Sequence, residues 1–97
     1  MITAGTATSW QDYTWWQQND PDVVEKINDL IKDIMRDPFK GLGKPEPLRG
    51  DLAGWWSRRI TGEHRLVYKV EGSEPSLRLV IIQARFHYSS QSLVPSP

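Results

Sequence analysis

Residues Lys44 to Tyr68 read K-P-E-P-L-R-G-D-L-A-G-W-W-S-R-R-I-T-G-E-H-R-L-V-Y, and they contain the clearest β-sheet signals in the chain. Trp55 to Ile60 and Arg65 to Val70 are rich in aromatic and β-branched residues, which favour strands, and the turn T-G-E-H between them is typical of a hairpin. After a second polar turn, E-G-S-E-P-S, the residues from Leu77 to Tyr88 continue the pattern. The sequence therefore predicts three strands in an antiparallel meander.

Two helices are predicted before this sheet. Ser9 is a suitable N-terminal cap for the first helix, with Asp12 in the first turn, where a carboxylate favours the helix dipole. Asp20 and Pro21 mark the start of the second helix, which ends by Asp37 because the residue before a proline is disfavoured in helical geometry. The second helix has one apolar stripe at helical spacing, formed by Val23, Val24, Ile27, Leu30, Ile31, Ile34 and Met35.

The predicted elements define one domain. Residues Met1 to Thr8 are compatible with an extended edge strand, although Gly5 weakens that prediction. Two N-terminal helices packed on an antiparallel sheet form an α+β fold, and 97 residues leave no room for a second domain. Residues 89–97, S-S-Q-S-L-V-P-S-P, offer little to bury and are predicted to be a disordered C-terminal tail. The predicted domain therefore comprises residues 1–88.

Charge is distributed unevenly along the chain. Residues 38–69 contain seven basic residues and three acidic ones, whereas residues 1–37 contain seven acidic residues and three basic ones. The basic region indicates an anionic partner. The chain has no cysteine, no apolar run near the ~20 residues that cross a bilayer, and no phosphate-loop, nucleophile-turn or paired metal-ligand motif. We therefore expect a cytoplasmic protein that uses no metal or other cofactor.

Candidate catalytic groups lie next to the predicted strands. Metal-free cleavage of RNA requires a base for the 2′-hydroxyl proton, cations for the charge on phosphorus, and an acid for the leaving 5′-oxygen. Residues of these types are Glu46, Arg59, Arg65, His87 and Tyr88. Two flanking prolines restrict the backbone of Glu46. We expect the glutamate, Arg65 and His87 to lie in an open cleft.

Several of these residues also have a purely structural interpretation. Glu46 could be a solvated loop carboxylate, and His87 could be a plain surface or hydrogen-bonded histidine, as we expect for His64 in its polar turn. The tryptophans could stack RNA bases, but their helical and strand spacing favours core or partner-facing positions. They are Trp10, Trp15, Trp16, Trp55 and Trp56.

The arginines likewise have two interpretations. They could be exposed strand residues paired with Glu63 or Asp51, in surface ion pairs that contribute little to stability. Because side chains alternate along a strand, Arg58 and Arg59 are predicted to face opposite sides of the sheet. At most one of these two arginines can therefore lie beside Arg65.

The chain resembles the YoeB toxins of the RelE superfamily, the toxin halves of bacterial type II toxin–antitoxin modules. The resemblance is carried by K-P-E-P-L, G-W-W-S-R-R-I-T-G-E-H-R-L-V-Y and R-F-H-Y, and it extends over about Ser9 to Tyr88. It includes the helix pattern N-D-P-D-V-V-E-K-I-N-D-L-I-K-D. The resemblance implies a microbial-ribonuclease-like fold and an endonuclease that cleaves mRNA in the ribosomal A site.

The resemblance also implies a role for each matched residue. Glu46 is expected to be the general base, Arg65 the cation that stabilises the phosphate, and His87 the general acid. Arg59 and Tyr88 are expected to assist them. The basic residues beside the glutamate that are expected to hold RNA phosphates are Lys44 and Arg49.

Partners follow from the same resemblance. It implies a YefM-like antitoxin whose C-terminal segment covers the toxin, contacts with mRNA and rRNA on the ribosome, and assembly as a homodimer or a toxin–antitoxin hetero-oligomer. The expected reaction inhibits translation and leaves a 2′,3′-cyclic phosphate and a 5′-hydroxyl. The alternative is a non-catalytic module that binds RNA or an acidic peptide through its basic region.

Overall fold

A computed structural model describes residues 2–73 and 76–86 of the chain. The predicted tail, His87 and Tyr88 lie outside these residues. The elements in chain order are β1 (Ile2–Gly5), α1 (Ala7–Asn19), α2 (Pro21–Arg36), β2 (Glu46–Pro47), a 3-10 turn (Gly50–Leu52), β3 (Trp56–Arg59), β4 (Arg65–Glu71) and β5 (Arg78–Gln83). Over the same residues, no helix is long and apolar enough to cross a membrane.

The described strands form one sheet in the order β1-β5-β4-β3-β2. The pairs β2–β3, β3–β4 and β4–β5 are antiparallel, whereas β1 pairs parallel with β5. The antiparallel meander and the N-terminal edge strand predicted from the sequence are therefore confirmed, as is the α+β fold with two helices packed on the sheet.

The main core lies between the two helices and one face of the sheet. Its buried residues are Trp16, Val23, Ile27, Leu30, Ile34, Ile60, Leu66, Tyr68, Leu79, Ile81 and Ala84. Alternation along β4 directs Val67 to the opposite face, where Leu48 and Leu52 pack against it in a smaller cluster. The helices therefore cover one face of the sheet, and the segment from Leu48 to the 3-10 turn packs on the other.

Helix α1 begins earlier than predicted. Thr6, not Ser9, is its N-terminal cap, and the Thr6 hydroxyl accepts a hydrogen bond from the Ser9 amide at 3.2 Å. Threonine caps nearly as well as serine, so the local sequence did not separate the two positions. Asp12 consequently lies beyond the first turn, and it is buried.

Strand β5 ends at Gln83, whereas the sequence predicted a strand as far as Tyr88. The reason is that helix α1 binds the backbone of the next residue. The Ala84 amide donates to Asp12 Oδ2 at 3.0 Å, and the Ala84 carbonyl accepts from Trp16 Nε1 at 2.8 Å. Burial raises the pKa of Asp12, although the Ala84 N–H and the charges of Arg85 and His64 act in the opposite direction. These contacts end the regular β5 pairing after Gln83, although the Phe86 carbonyl still accepts from the Arg65 amide of β4.

Candidate functional site

Glu46 lies on β2, a two-residue edge strand where the sequence predicted only a loop. It is exposed, and it stands opposite Ser57 of β3 in the antiparallel register. Pro47, opposite Trp56, has no N–H to donate, which is tolerated because β2 is at the edge of the sheet. Pairing with β3 therefore gives the glutamate a defined place in the sheet.

Three of the predicted site residues share one face of the sheet. Ser57 and Arg59 point to the same side of β3, and Arg59 stands directly opposite Arg65 of β4. Glu46, opposite Ser57, therefore lies on this face too. It is the face away from the helices, since Leu66 and Tyr68 of β4 point into the main core. The prediction that only one of the adjacent arginines lies beside Arg65 is confirmed, and that residue is Arg59.

Arg65 is only 8% exposed, so it does not lie in the open as predicted. Its Nη1 group donates to the carbonyls of Thr61, Gly62 and His64, at 2.9 to 3.1 Å. The guanidinium therefore stabilises the β3–β4 hairpin as well as standing next to Arg59, which is exposed.

The chain that leads to His87 is held beside Arg65. The Arg65 amide donates to the Phe86 carbonyl at 3.0 Å, and buried Gln83 donates through Nε2 to the same carbonyl at 2.9 Å. Phe86 itself has φ of 67°, a left-handed conformation that is uncommon for a bulky residue. The carbonyl of Phe86, the residue before His87 in sequence, is therefore fixed beside Arg65.

His64 is part of this arrangement as a hydrogen-bonded histidine, which is one of the two structural roles expected for it. Its Nδ1 accepts a hydrogen bond from the Phe86 amide at 2.8 Å. Its ring packs edge-on against buried Trp16, with 4.9 Å between ring centroids. No local signal predicts the contact, because the two bonded residues are 22 positions apart.

The two predicted phosphate-binding residues flank Glu46 and are exposed. Lys44 has φ of 50° and follows Gly43 in the approach to β2. Arg49 caps the 3-10 turn that begins at Gly50. Both side chains are therefore accessible to a polyanion beside the glutamate.

The tryptophans differ in exposure. Trp16 is in the core, whereas Trp10 is 62% exposed. The other three have close ring contacts with neighbouring side chains. The Arg85 guanidinium lies 4.1 Å from the Trp15 ring centroid, Lys69 Nζ lies 4.6 Å from that of Trp55, and the Phe39 ring centroid lies 4.9 Å from that of Trp56. In the described ranges, no group of three or more His, Cys, Asp or Glu side chains could hold a metal ion.

Arg58, next to Arg59 in sequence, is fully buried on the opposite face. Its interpretation as an exposed partner of Glu63 or Asp51 was therefore wrong. The guanidinium hydrogen bonds to Asp33 Oδ2 at 2.5 Å, to the Asp37, Lys40 and Leu42 carbonyls at 2.6, 3.2 and 3.1 Å, and to the Tyr68 hydroxyl at 3.1 Å. The sequence carried a signal for this position, because Arg58 alternates with apolar Trp56 and Ile60.

Asp33 connects α2 to the loop that follows it. Its carboxylate accepts hydrogen bonds from the Leu42 amide at 2.8 Å, from Arg58 and from Arg36. The Leu42 N–H, followed by the Arg58 side chain, lowers the pKa of Asp33 to about 2. The carboxylate is therefore ionised throughout the neutral range.

This lowered pKa predicts a specific dependence of stability on pH. A carboxylate with a pKa of about 2 in the folded state and about 3.9 when unfolded stabilises the fold above pH 4. That contribution disappears as the pH falls through the folded pKa. The stability difference between wild type and Asp33→Asn should therefore shrink from pH 5 to pH 2 in urea titrations. Asp29→Asn, at an exposed position of α2, controls for the removal of one charge, and a constant Asp33→Asn difference would contradict the assignment.

Comparison with known proteins gives a consistent result. Residues 6–88 match the family described as "YoeB-like toxin of bacterial type II toxin-antitoxin system". The chain is 58% identical over 83 residues to Toxin YoeB of Streptomyces coelicolor, which covers 86% of this chain and 94% of the relative.

Solved structures agree with the sequence match. A YoeB/ParE toxin from Agrobacterium tumefaciens superposes with a TM-score of 0.90 at 61% identity, over 91% of this chain and 100% of the other. The heterotetrameric YoeB-YefM toxin-antitoxin complex of Staphylococcus aureus contains a chain that superposes with a TM-score of 0.80 at 40% identity, over 91% of this chain and 98% of the other. The chain described here is therefore a member of the YoeB-like toxin family of bacterial type II toxin–antitoxin systems.

Proposed function

We propose that this protein is a ribosome-dependent mRNA endonuclease that inhibits translation by cleaving messages in the A site. The observation that carries the proposal is the shared face of Glu46, Arg59 and Arg65. Neighbouring strands are roughly 5 Å apart and alternate residues along a strand roughly 7 Å apart, so side chains of this length can converge on one phosphate. The exposed basic side chains of Lys44 and Arg49, beside the glutamate, can bind the phosphates of the RNA.

The proposed reaction uses protein groups alone. Glu46 removes the proton from the ribose 2′-hydroxyl, and the 2′-oxygen attacks the adjacent phosphorus. Arg65, assisted by Arg59, stabilises the negative charge that develops on the phosphoryl oxygens. The 5′-oxygen leaves with a proton from His87, assisted by Tyr88. The products are a 2′,3′-cyclic phosphate and a 5′-hydroxyl.

The proposed partners follow from family membership and charge. The Staphylococcus aureus relative forms a complex with YefM, and we infer that a YefM-like antitoxin neutralises this protein. We further infer that the protein assembles as a homodimer or as a toxin–antitoxin hetero-oligomer. On the ribosome, the exposed basic residues contact rRNA and mRNA phosphates. The protein acts in the cytoplasm, where translation occurs.

Toeprinting of a translated message tests the proposal. Purified protein added to programmed ribosomes should produce new 3′ ends within the A-site codon, and the same message without ribosomes should remain intact. Expression of the chain alone should arrest growth, and co-expression of the cognate antitoxin should restore it. Ribosome binding without new ends would instead favour the non-catalytic binding module.

A further inference from the structure

The loop between α2 and β2 is held by buried side chains instead of regular backbone pairing. Arg58 donates to the carbonyls of Asp37, Lys40 and Leu42, and the Tyr68 hydroxyl donates to the Pro38 carbonyl at 2.6 Å. The Leu42 amide is bound by Asp33. An irregular segment needs partners for its backbone polar groups, and here one buried network supplies several of them at once.

The loop is also bonded directly to the backbone of β3, at Arg59. Arg59 N–H donates to the Gly43 carbonyl at 2.6 Å, and a Cβ added at Gly43 would come 2.9 Å from the Arg59 carbonyl. Gly43 has φ of 76°, so a larger residue would be both strained and crowded. Only Gly43, Lys44 and Pro45 separate Leu42 from Glu46. Movement of the loop would therefore strain the three-residue link to β2, where Glu46 pairs with β3.

Burial of an arginine side chain in the core carries a free-energy cost. Apolar residues of similar volume are often as stabilising as a buried ion pair, because the charges must be removed from water. Burial also raises the pKa of Tyr68, which keeps its hydroxyl protonated and able to donate. The advantage of this network over an apolar core is therefore geometric, since it specifies where each loop carbonyl lies.

We propose that Arg58, Asp33 and Tyr68 are positioning residues that fix the loop carrying Lys44, and through it the start of β2 at Glu46, in the geometry that the reaction requires. They contact the loop from the helix-covered face and act on the chemistry only through it. This inference rests on the proposed function, in which Glu46 is the general base. A misplacement of about 1 Å at a catalytic group can cost roughly 100-fold in rate.

The test is Tyr68→Phe, which removes the hydroxyl and keeps the ring in the core. The matched control is Tyr13→Phe, which removes a hydroxyl that donates to Asn28 Oδ1 at 2.9 Å between the two helices. We expect Tyr68→Phe to lower the maximal cleavage rate on programmed ribosomes by about 10- to 100-fold, with little change in KM. Tyr13→Phe should cleave at the wild-type rate.

Combination with Glu46→Ala tests whether the effect passes through the glutamate. In that background, Tyr68→Phe should change the residual cleavage rate by less than about twofold, because the group it positions is gone. An equal loss in both backgrounds would overturn the inference. A Tyr68→Phe protein that cleaves as fast as Tyr13→Phe would overturn it as well.

A readout independent of activity separates this inference from the proposed function. Amide hydrogen exchange at Leu42 and Arg59, both bonded within the network or to Gly43, should accelerate at least about tenfold in Tyr68→Phe. Amides in the β4–β5 pairing should keep their protection. Unchanged exchange at Leu42 and Arg59 would overturn the inference even if cleavage is confirmed. Wild-type cleavage by Glu46→Ala would instead refute the assigned base, and the exchange result would still decide whether the network fixes the loop.

Discussion

Glu46→Ala is expected to abolish growth arrest while leaving the protein folded. A general base typically contributes about 10²–10⁴-fold to the rate, so cleavage of a ribosome-bound message should fall by that factor. The side chain is exposed on a two-residue edge strand, and surface interactions contribute only about 0–1 kcal/mol. The melting temperature should therefore change by only a few degrees.

Glu63→Ala is the matched control for this substitution. Glu63 is an exposed carboxylate in the β3–β4 hairpin, and it has no place in the proposed reaction. Its removal should leave both cleavage and stability near wild-type values. A Glu46→Ala protein that still arrests growth, expressed at the wild-type level, would refute the glutamate as the general base.

Arg65→Ala should behave differently from Glu46→Ala, contrary to what an open cleft would imply. Because Arg65 is mostly buried and holds the hairpin carbonyls, its loss should reduce stability as well as cleavage. Glu46 therefore separates chemistry from folding more cleanly than Arg65 does.

The second large expected effect is on stability, and it should distinguish substitutions at two adjacent arginines. Arg58→Met is expected to destabilise the fold by about 3–5 kcal/mol, because it removes the buried ion pair with Asp33 and the Arg58 hydrogen bonds to three loop carbonyls. A domain of this size has a total stability of about 5–15 kcal/mol, so much of the protein would unfold at moderate urea concentrations. Arg59→Met, one residue away but exposed, should change stability by no more than about 0.5 kcal/mol.

Urea titration followed by tryptophan fluorescence measures both variants. The expected result is a large fall in the midpoint for Arg58→Met and a midpoint close to wild type for Arg59→Met. Equal midpoints for the two variants would contradict the burial of Arg58 and the role of its network in the fold.

Local patterns in the sequence predicted the helices and the sheet. The apolar stripe from Val23 to Met35 and the proline at position 21 defined α2, whose start at Pro21 and end at Arg36 agree closely with the prediction. Alternation along β3 correctly separated Arg58 from Arg59. These successes share one cause, since each depends on residues a few positions apart.

Long-range contacts account for what the sequence did not predict. The end of β5 is set by the bond between Asp12 and the Ala84 amide, 72 positions apart. His64 and Phe86 meet only because β4 and β5 are neighbours in the sheet. The roles of His87 and Tyr88 remain predictions from the family resemblance, since both lie outside the described residues.

The chemistry of the cleaved ends tests the central proposal most directly. Programmed ribosomes are treated with purified wild-type protein or Glu46→Ala, and the two ends of each message fragment are identified by enzymatic labelling. The proposed reaction predicts a 2′,3′-cyclic phosphate on the upstream fragment and a 5′-hydroxyl on the downstream fragment, with neither formed by Glu46→Ala. A 3′-hydroxyl and a 5′-phosphate, or the absence of cleavage by the wild-type protein, would contradict attack by the 2′-oxygen.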